Sequence, residues 1–413
     1  MFEILTIGDE LVSGSTIDTN SGFIARQLGA AGMTVTRVMS VGDGLDEIMV
    51  ALMNGLSATR FMIVTGGLGP TEDDRTARAA AAAFGRRLAL SDEALGLMQA
   101  RFDRMGRPMN PANRKQALLP EGCRIIENPA GTACGFLVED DGRTWFFLPG
   151  VPEEVRVMVD SFLIEYLRQA SGLTEVIRHR TLKVFGLGES VIHEKLEGFL
   201  PRSDLVSLAF YPQYPEISLK IVGRGDDEQA LLDDMERFRL VICERIGAYI
   251  YSDTGELLEE TVGALLKDQG VTIAVAESCT GGLISHRLTN VSGSSVYVER
   301  AVVTYSNRAK VELLQVPEEL INEKGAVCEE VARRMAEGVR RLSGSDYSIG
   351  VTGIAGPAGG TDAKPVGTVC ISVAGPDCTE VKTHHIHGSR ERVKLMSAQM
   401  ALNMLRKMLL KEQ

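Results

Sequence analysis

The sequence has few features typical of secreted, membrane-bound or nucleic-acid-binding proteins. Its 413 residues carry a formal net charge of -11, which provides no basic surface for nucleic acid. No apolar run approaches the roughly 20 residues that a membrane-spanning helix needs. The seven cysteines are scattered without a C-x-x-C pair, and their odd number argues against a disulfide framework. Because acidic residues also stand where a signal peptide carries basic ones, we expect a soluble cytoplasmic protein without membrane or nucleic-acid partners.

The composition is that of a globular protein, with 44% hydrophobic and 24% charged residues. Alternating strand-like and helix-like segments over residues 2–84 predict a largely parallel α/β sheet with helices on both faces. From about residue 176 to residue 251, the order β-α-β-β-α-β predicts a small ferredoxin-like α+β module. A chain of this length predicts two or three domains, and we place them at residues 1–170, 171–253 and 254–413.

Glycines and basic residues in the first module suggest a phosphate site. The third predicted strand ends in Gly66, Gly67 and Gly69, and glycines before a helix allow a phosphate to approach the backbone closely. The turn-rich segment Asn113-Arg114-Lys115 supplies the nearest basic candidates for a diphosphate. For Arg114 and Lys115, an ordinary solvated surface is an equally open alternative.

Acidic residues follow two predicted strands of the same module. Glu10 follows the first strand, and Asp73 and Asp74 follow the glycines of the third. Carboxylates in this position predict a divalent metal that neutralises a bound phosphate. The alternative is a capping box, in which Thr71 and Asp74 only satisfy backbone N–H groups at a helix start.

In the last module, Val275 to Gly282 joins an apolar run to helical spacing and predicts a strand-to-helix turn. We expect the backbone N–H groups of this turn to be open to an anion or oxyanion. Ser278 is the candidate nucleophile and Cys279 its competitor. Neighbours on an extended segment point to opposite faces, so only one of the two should reach the cleft. The alternative role for Ser278 is an ordinary helix cap.

Two further segments are predicted to meet this turn, and neither contains histidine. One carries Tyr305 and Lys310, and a partly desolvated lysine can be neutral enough to act as a base. The alternatives are core packing for Tyr305 and a solvated helix face for Lys310. The other segment is the glycine-rich loop from Thr352 to Gly356, which is open enough for a ligand to approach the backbone.

The motifs of the first two modules resemble those of the competence/damage-inducible protein A (CinA) family. Gly8-Asp9-Glu10, the segment from Gly66 to Asp74, Asn113 to Gln116 and Leu148-Pro149-Gly150 are similar to its amino-terminal domain, which is related to the molybdopterin-binding fold. The resemblance implies a metal-dependent ADP-ribose pyrophosphatase. The implied metal ligands are Glu10, Asp73 and Asp74, and the implied substrate contacts are Gly66, Gly67, Gly69, Asn113, Arg114 and Lys115. The middle module resembles a KH domain but has no Gly-x-x-Gly clamp with basic neighbours, which favours a spacer or dimerisation role over RNA binding.

The motifs around Ser278, Tyr305 and Thr352 look like those of the nicotinamide-mononucleotide deamidase domain over about residues 255 to 410. This resemblance implies hydrolysis of nicotinamide mononucleotide to nicotinic acid mononucleotide and ammonia, in a homodimer that needs no cofactor for this step. Ser278 would be the nucleophile, with Tyr305 and Lys310 handling its proton. The implied substrate-binding residues are Thr280 and Gly281 and, for the 5′-phosphate, the loop with Gly353, Ala355 and Gly356, with Thr352 beside it and Arg390 as a charge partner. The alternative is a regulatory protein of competence or DNA damage that binds a nucleotide or pterin without turnover.

Overall fold

The structure is a computed structural model that describes residues 2–54, 60–172 and 175–411. The chain divides into two compact units, Met1–Arg178 with Arg224–Glu228 and His179–Gly223 with Gln229–Gln413. The second unit holds most of the predicted middle module together with the C-terminal module. All seven cysteines are free thiols. Among the described residues, no helix combines the length and the apolar character that crossing a bilayer requires.

The first module contains a six-stranded sheet and a small two-stranded one. Its strands are β1 (Phe2–Ile7), β2 (Val35–Val41), β3 (Phe61–Thr65), β4 (Leu88–Leu90), β5 (Leu118–Pro120), β6 (Arg124–Ile126), β7 (Gly135–Asp140) and β8 (Arg143–Leu148). The large sheet has the order β2-β1-β3-β8-β7-β6, in which β2, β1, β3 and β8 are parallel and β7 and β6 add an antiparallel edge. The predicted α/β fold is thus confirmed. Every residue of β1 and of β3 is buried, as expected for parallel strands covered on both faces.

Helices cover this sheet. They are α1 (Asp9–Val12), α2 (Thr19–Ala30), α3 (Leu45–Asn54), α4 (Thr76–Ala83), α5 (Asp92–Arg104), α6 (Pro152–Met158) and α7 (Ile164–Ser171). The apolar side chains form two cores, one on each face of the sheet. Ile24 and Leu28 of α2 pack in one core, whereas Ile48 and Leu52 of α3 pack in the other. This arrangement leaves the carboxyl ends of the parallel strands, where loops carry the glycines and acids, as the open edge.

The middle module has the predicted β-α-β-β-α-β order. Its elements are β9 (Val176–Val184), α8 (Glu189–Leu196), β10 (Val206–Gln213), β11 (Glu216–Gly225), α9 (Glu228–Ile246) and β12 (Ile250–Ser252). The sheet order is β10-β11-β9-β12, so β10 is an edge strand. A tight hairpin at residues 214–215 joins β10 to β11 in antiparallel register.

The C-terminal module is a five-stranded sheet with the order β14-β13-β15-β16-β17. Its strands are β13 (Ile273–Glu277), β14 (Val298–Val303), β15 (Tyr347–Gly353), β16 (Thr368–Ala374) and β17 (Thr379–His385), and its helices are α10 (Leu258–Gln269), α11 (Leu283–Asn290), α12 (Asn307–Leu314), α13 (Glu318–Lys324), α14 (Glu329–Ser343) and α15 (Arg390–Leu410). Buried α15 and α10 side chains pack on one face, and α14 packs on the other.

Candidate active site

Three parallel strands bring distant segments of the C-terminal module together. Strand β13 pairs with β14 on one side and with β15 on the other, and all three run in the same direction. Their carboxyl ends therefore meet at one edge of the sheet. Ser278 follows β13, Tyr305 lies two residues after β14, and Gly353 ends β15. Segments that are far apart in the sequence thus surround a common space.

That space is a cavity of about 210 Å³. The predicted residues that line it are Ser278, Tyr305, Lys310, Thr352, Gly353, Ala355 and Arg390. The lining residues that were not predicted as site residues are Cys279, Asn307, Ala326 and Val327. Asn307 is the first residue of α12, directly after the Ser306 cap, so its place beside Tyr305 was available from the sequence. No pattern in the sequence pointed to Ala326 and Val327.

Lys310 is almost completely buried, with 1% of its surface exposed, and its Nζ lies 3.0 Å from Ser278 Oγ. The carbonyl oxygens of Thr304 and Tyr305 lie 2.8 and 3.3 Å from the same nitrogen. No acidic side chain is among these neighbours. Burial therefore lowers the pKa of the Lys310 amine from its ordinary value of 10.5, because the charged form loses its hydration. The alternative of a solvated lysine is wrong.

Tyr305 is exposed over 61% of its surface, so core packing does not explain it. Its hydroxyl lies 2.9 Å from Arg390 Nη2, and Arg390 Nη1 donates to the Gly356 carbonyl at 2.8 Å. Arg390 is the first residue of α15 and thus ties the start of that helix to two loops of the site. Among the hydrogen bonds of the described residues, none joins the Tyr305 hydroxyl to Ser278 or Lys310.

The turn after β13 has the predicted strand-to-helix form. The Ser278 N–H donates to the Val351 carbonyl at 3.0 Å, which extends the ladder with β15 by one residue. The Gly281 N–H then donates back to the Ser278 carbonyl at 3.1 Å. Gly281 and Gly282 have φ values of +62° and +95°, which favour glycine over other residues. The glycine pair allows the chain to reverse sharply beside the serine.

The helix end after this turn is not open to a ligand, contrary to the expectation from the sequence. The carboxylate of Glu277, which is fully buried, accepts hydrogen bonds from the N–H groups of Gly282, Ile284 and Ser285 at 2.8 to 3.1 Å. The Ser285 hydroxyl donates to the same carboxylate. Glu277 therefore satisfies the backbone donors of α11 and places a negative charge at the positive end of the helix. The expectation failed because an acid inside the preceding strand caps the helix.

The backbone N–H groups of Cys279 and Thr280 have no backbone acceptor among the described residues, and both face the Cys279 sulfur, where they oppose the rise in the pKa of its thiol. They directly follow Ser278, whereas the next N–H, that of Gly281, is used within the turn. The Thr280 side chain is fully buried, and its hydroxyl has no partner in the described structure. Neither Thr280 nor Gly281 is among the residues that line the cavity. Their predicted role is therefore restricted to the backbone.

Cys279 also reaches the cavity, so the expectation that only one of the two neighbours would do so is wrong. Strand alternation ends with β13 at Glu277, and both residues already belong to the turn. Cys279 is 5% exposed, and burial raises the pKa of its thiol to about 12. A β-carbon at Gly353 would lie 3.0 Å from Cys279 Sγ and 2.8 Å from a Val369 methyl carbon, which explains the glycine. The thiol thus lies in a tightly packed wall and stays protonated near neutral pH.

The remaining predicted residues lie at the end of β15 and in the loop that follows it. The Thr352 hydroxyl donates to the Ala326 carbonyl at 2.8 Å and so holds the unpredicted Ala326 and Val327 against the cavity. Gly356 does not line the cavity, but its carbonyl anchors Arg390. Gly356 has a φ of +80°, and a β-carbon there would lie 2.4 Å from a Val366 side-chain carbon.

In the first module, a cavity of about 570 Å³ lies at the carboxyl edge of the sheet. The predicted residues that line it are Glu10, Gly66, Gly67, Gly69, Asp73 and Asp74. Gly66 has a φ of +106°, and a β-carbon there would lie 2.2 Å from the Ile7 carbonyl oxygen. Only glycine therefore fits where the ends of β1 and β3 meet.

Asp43 and Glu154 also line this cavity and were not predicted. The Asp43 N–H donates to Asp9 Oδ1, and the Asp9 N–H donates to Asp43 Oδ2, both at 3.0 Å. Burial, together with the negative charges of Asp9, Glu10 and Asp73, raises the pKa of Asp43. The signal for Asp43 was an acid between two glycines directly after β2.

Asp74 is engaged with Thr71, from which its Oδ2 accepts a backbone hydrogen bond at 2.8 Å and a hydroxyl hydrogen bond at 2.5 Å. This pair resembles the capping-box alternative, but α4 begins only at Thr76, so the contact closes a loop instead of capping a helix. In the described part of the chain, no three acidic, histidine or cysteine side chains are grouped to hold a metal ion. The predicted ligands Glu10, Asp73 and Asp74 share a cavity but do not form such a group.

Among the predicted basic residues, only Lys115 reaches the glycine loop. Its amine donates to the Thr71 carbonyl, and it lines a second cavity of about 390 Å³ on that loop. Asn113 Nδ2 donates to Gln116 Oε1 at 3.2 Å, and Gln116 in turn donates to the Leu68 carbonyl at 3.3 Å. Arg114 is exposed and lines neither cavity, in keeping with the surface alternative.

Comparison with known proteins assigns each part of the chain to a domain family. Residues 3–169 match the "Probable molybdopterin binding domain", residues 179–252 the "Damage-inducible protein CinA KH domain", and residues 255–409 the "CinA C-terminal domain". The "competence/damage inducible protein CihA" of Agrobacterium tumefaciens has a solved structure that is 37% identical, with a TM-score of 0.35 over 36% of this chain and 91% of that one.

Relatives of similar length match the chain almost from end to end. A "CinA-like protein" of Geotalea uraniireducens is 42% identical over 406 residues, which cover 98% of this chain and 97% of the relative. A "CinA-like protein" of Geobacter sp. strain M21 is 45% identical over 409 residues, with the same coverage of 98% and 97%. With the domain matches and this full-length similarity, the chain belongs to the CinA family.

Proposed function

We propose that the C-terminal module hydrolyses the carboxamide of nicotinamide mononucleotide, releasing ammonia and nicotinic acid mononucleotide. The observation that carries the proposal is the surroundings of the Lys310 amine, which lies 3.0 Å from Ser278 Oγ and 2.8 and 3.3 Å from two backbone carbonyls. A neutral amine has two protons and one lone pair. The two carbonyls accept the two protons, which leaves the lone pair for the Ser278 hydroxyl. Together with the burial that lowers the pKa of Lys310, this arrangement supports a base at Ser278 without a histidine.

Hydrolysis by this pair proceeds in two stages. Lys310 takes the hydroxyl proton while Ser278 Oγ attacks the carboxamide carbon and forms a tetrahedral oxyanion. The carbon–nitrogen bond then breaks, and the Lys310 ammonium gives its proton to the departing ammonia. A water molecule loses a proton to Lys310 and attacks the acyl-serine, which releases the acid and restores the serine hydroxyl.

The backbone N–H groups of Cys279 and Thr280 are the proposed oxyanion donors. They follow the proposed nucleophile directly, and among the described residues no backbone carbonyl accepts from them. One such donor is typically worth about 10² to 10³ in rate. Because Glu277 already occupies the N-terminus of α11, the helix itself does not supply this stabilisation.

Arg390 is the proposed partner of the substrate phosphate. It lines the cavity, and its guanidinium is held by the Tyr305 hydroxyl and the Gly356 carbonyl. A planar guanidinium with five donors retains N–H groups for a phosphate after these two contacts. Tyr305 then orients Arg390 and covers the bound pyridine nucleotide, a different role from the proton relay expected from the sequence.

The experiment is incubation of the purified chain with nicotinamide mononucleotide. Ammonia is measured by a coupled assay and nicotinic acid mononucleotide by mass spectrometry, and the two products should appear in equal amounts. Calorimetry on the same sample measures nucleotide binding. Binding without either product would contradict the hydrolase and support the regulatory alternative.

We also propose that the first module hydrolyses the diphosphate of ADP-ribose with the help of a divalent cation. The favouring observation is that Glu10, Asp43 and Asp73 line one cavity with the glycine loop, where burial and the neighbouring carboxylates raise the pKa of Asp43. Mg²⁺ is commonly held by one or two carboxylates together with substrate phosphates, so the absence of a three-ligand group among the described residues is compatible with it. Such a cation supplies charge neutralisation at the diphosphate.

Lys115 and the glycine loop would hold the diphosphate. Lys115 lies beside the glycine loop in a cavity that Glu72 and Asp74 also line, where its charge would attract the phosphates. The test is AMP release from ADP-ribose with and without added Mg²⁺ or Mn²⁺. Release that does not depend on the metal, or no release at all, would contradict this second activity.

A further inference from the structure

The hairpin between β10 and β11 of the middle module contacts the first turn of α15. The Arg392 guanidinium lies over the Tyr214 ring, 4.0 Å from its centroid. The Tyr214 hydroxyl also donates to the Arg392 carbonyl oxygen at 3.1 Å. One tyrosine therefore binds both the side chain and the backbone of the same helical residue. Both modules belong to the same compact unit.

A second contact from the same hairpin holds α15 about two turns further on. Gln399 Nε2 donates to Glu216 Oε2 at 3.1 Å. Glu216 is itself fixed, because its carboxylate accepts from Lys183 Nζ at 2.9 Å and from the Tyr251 hydroxyl. The Lys183 and Glu216 side chains are only 11% and 10% exposed, so this ion pair is shielded from solvent.

The contacts continue from α15 towards the catalytic turn. Gln399 Oε1 accepts from Arg287 Nη2 at 2.7 Å, and Arg287 also binds Glu259 at 2.6 Å. Arg287 lies on α11, the helix that follows Ser278 and is capped by Glu277. The middle module is thus joined by an unbroken series of hydrogen bonds to both helices that border the site.

We propose that Tyr214 is a positioning residue for Arg390, and that this is a function of the middle module. The inference rests on the proposed deamidase and extends it. Arg390 and Arg392 share the first turn of α15, where the backbone is otherwise held by the Ser389 cap. Helix ends open more readily than helix centres. By binding Arg392 from outside, Tyr214 keeps Arg390 aimed at the Gly356 carbonyl, the Tyr305 hydroxyl and the substrate phosphate.

The test compares three single variants in the full chain. Tyr214→Ala removes both contacts, Tyr214→Phe keeps the stacked ring, and Tyr211→Ala is the matched control on the same hairpin, where Tyr211 is 55% exposed. For nicotinamide mononucleotide, Tyr214→Ala should raise KM by roughly five- to tenfold with kcat changed less than about twofold, since ground-state binding is lost. Tyr214→Phe should recover most of the loss, and Tyr211→Ala should match the parent chain.

The dephosphorylated substrate, nicotinamide riboside, separates positioning from general damage. It lacks the group that Arg390 binds, so Tyr214→Ala should leave its kcat/KM unchanged. In an Arg390→Ala background, Tyr214→Ala should have no further effect on the phosphorylated substrate. Equal losses on both substrates, or losses that add in the double variant, would overturn the proposal.

Hydrogen exchange tests the same inference without catalysis. Tyr214→Ala should reduce the protection of the backbone amides of residues 392–396, and Tyr211→Ala should not. Unchanged protection would overturn the positioning role, even in a chain that releases ammonia from nicotinamide mononucleotide. If the parent chain releases no ammonia, the proposed function fails, whereas the exchange result still decides whether Tyr214 orders the helix start.

Discussion

Glu277 binds Ser285 through two hydrogen bonds, one from the backbone N–H at 2.8 Å and one from the hydroxyl at 2.5 Å, across the turn that carries Ser278. The carboxylate is fully buried, and its partners are the donors of a helix start. A buried acid with this many donors fixes the path of the chain between Ser278 and α11. The turn is therefore held by hydrogen bonds within the chain itself.

Glu277→Gln should destabilise the protein by about 1 to 3 kcal/mol, because one acceptor oxygen is replaced by an NH₂ group facing backbone donors. Urea unfolding measures this change. Glu312→Gln is the control, since Glu312 is 61% exposed in an ion pair with Arg308, and its loss should cost about 0 to 1 kcal/mol. Similar midpoints for the two variants would contradict the capping role.

Ser278→Ala should lower ammonia release by at least about 10³-fold while leaving substrate binding in place, because it removes the nucleophile. Cys279→Ala should keep activity within about tenfold, since the pKa of the Cys279 thiol is raised to about 12 and the thiolate is scarce. Single-turnover kinetics measure both. Activity that survives in the serine variant and disappears in the cysteine variant would reverse the assignment.

Lys310→Met should abolish turnover with little change in substrate binding, because the methionine side chain has no basic nitrogen. In the parent chain, kcat/KM should rise with pH and level off above the pKa of Lys310, which burial lowers from 10.5. Lys310→Arg should not restore activity, because a guanidinium stays charged. A rate that falls as the amine deprotonates would mean that the charged lysine is the active form.

The same lysine should make stability depend on pH. A lowered pKa in the folded state means that the unfolded chain binds more protons between that pKa and 10.5. Stability therefore rises with pH across this window. Lys310→Met has no such group, so the difference in Tm between the methionine variant and the parent should shift in favour of the parent as pH rises. Differential scanning fluorimetry from pH 6 to pH 10 checks the trend, and a constant difference would contradict it.

Asp43→Asn should reduce AMP release from ADP-ribose by at least about tenfold, because it removes one carboxylate from the acidic wall of the first cavity. The variant should release ammonia from nicotinamide mononucleotide at the parent rate, which serves as the internal control. Glu72→Gln is the matched substitution, at an exposed acid of the loop after β3 that does not line this cavity. An equal loss of AMP release in both variants would contradict a specific role for Asp43 and indicate a general effect of negative charge at this edge of the sheet.

The sequence predicted the backbone elements that surround Ser278. The apolar run before Ser278 and the paired Gly281 and Gly282 predict a strand followed by a tight turn, and the structure has both. Parallel strands explain why Tyr305 and Gly353 meet that turn, since their carboxyl ends share one edge. These features depend on local pattern and on a general rule of α/β sheets.

Features that depend on side-chain packing could not be predicted. Glu277 looked like an ordinary last strand residue, and only the tertiary structure shows its carboxylate turned into the helix that follows. Asp43 enters its cavity through paired hydrogen bonds with Asp9, 34 residues away. Ala326 and Val327 line the cavity beside Ser278 because the Thr352 hydroxyl binds the Ala326 carbonyl there. Contacts of this kind produce no periodic pattern in the sequence.

The burial of the Glu277 carboxylate at the start of α11 has a consequence for how ligands are selected. The partial positive charge that a helix start usually offers to an anion is already neutralised there. In the proposed function, the substrate phosphate binds instead to the Arg390 cation on α15, a helix that carries neither Ser278 nor Lys310. On that proposal, bond breaking depends on the turn after β13 and on α12, whereas recognition of the charge depends on α15, so substitutions on α15 should change the preferred ligand and leave Ser278 and Lys310 in place.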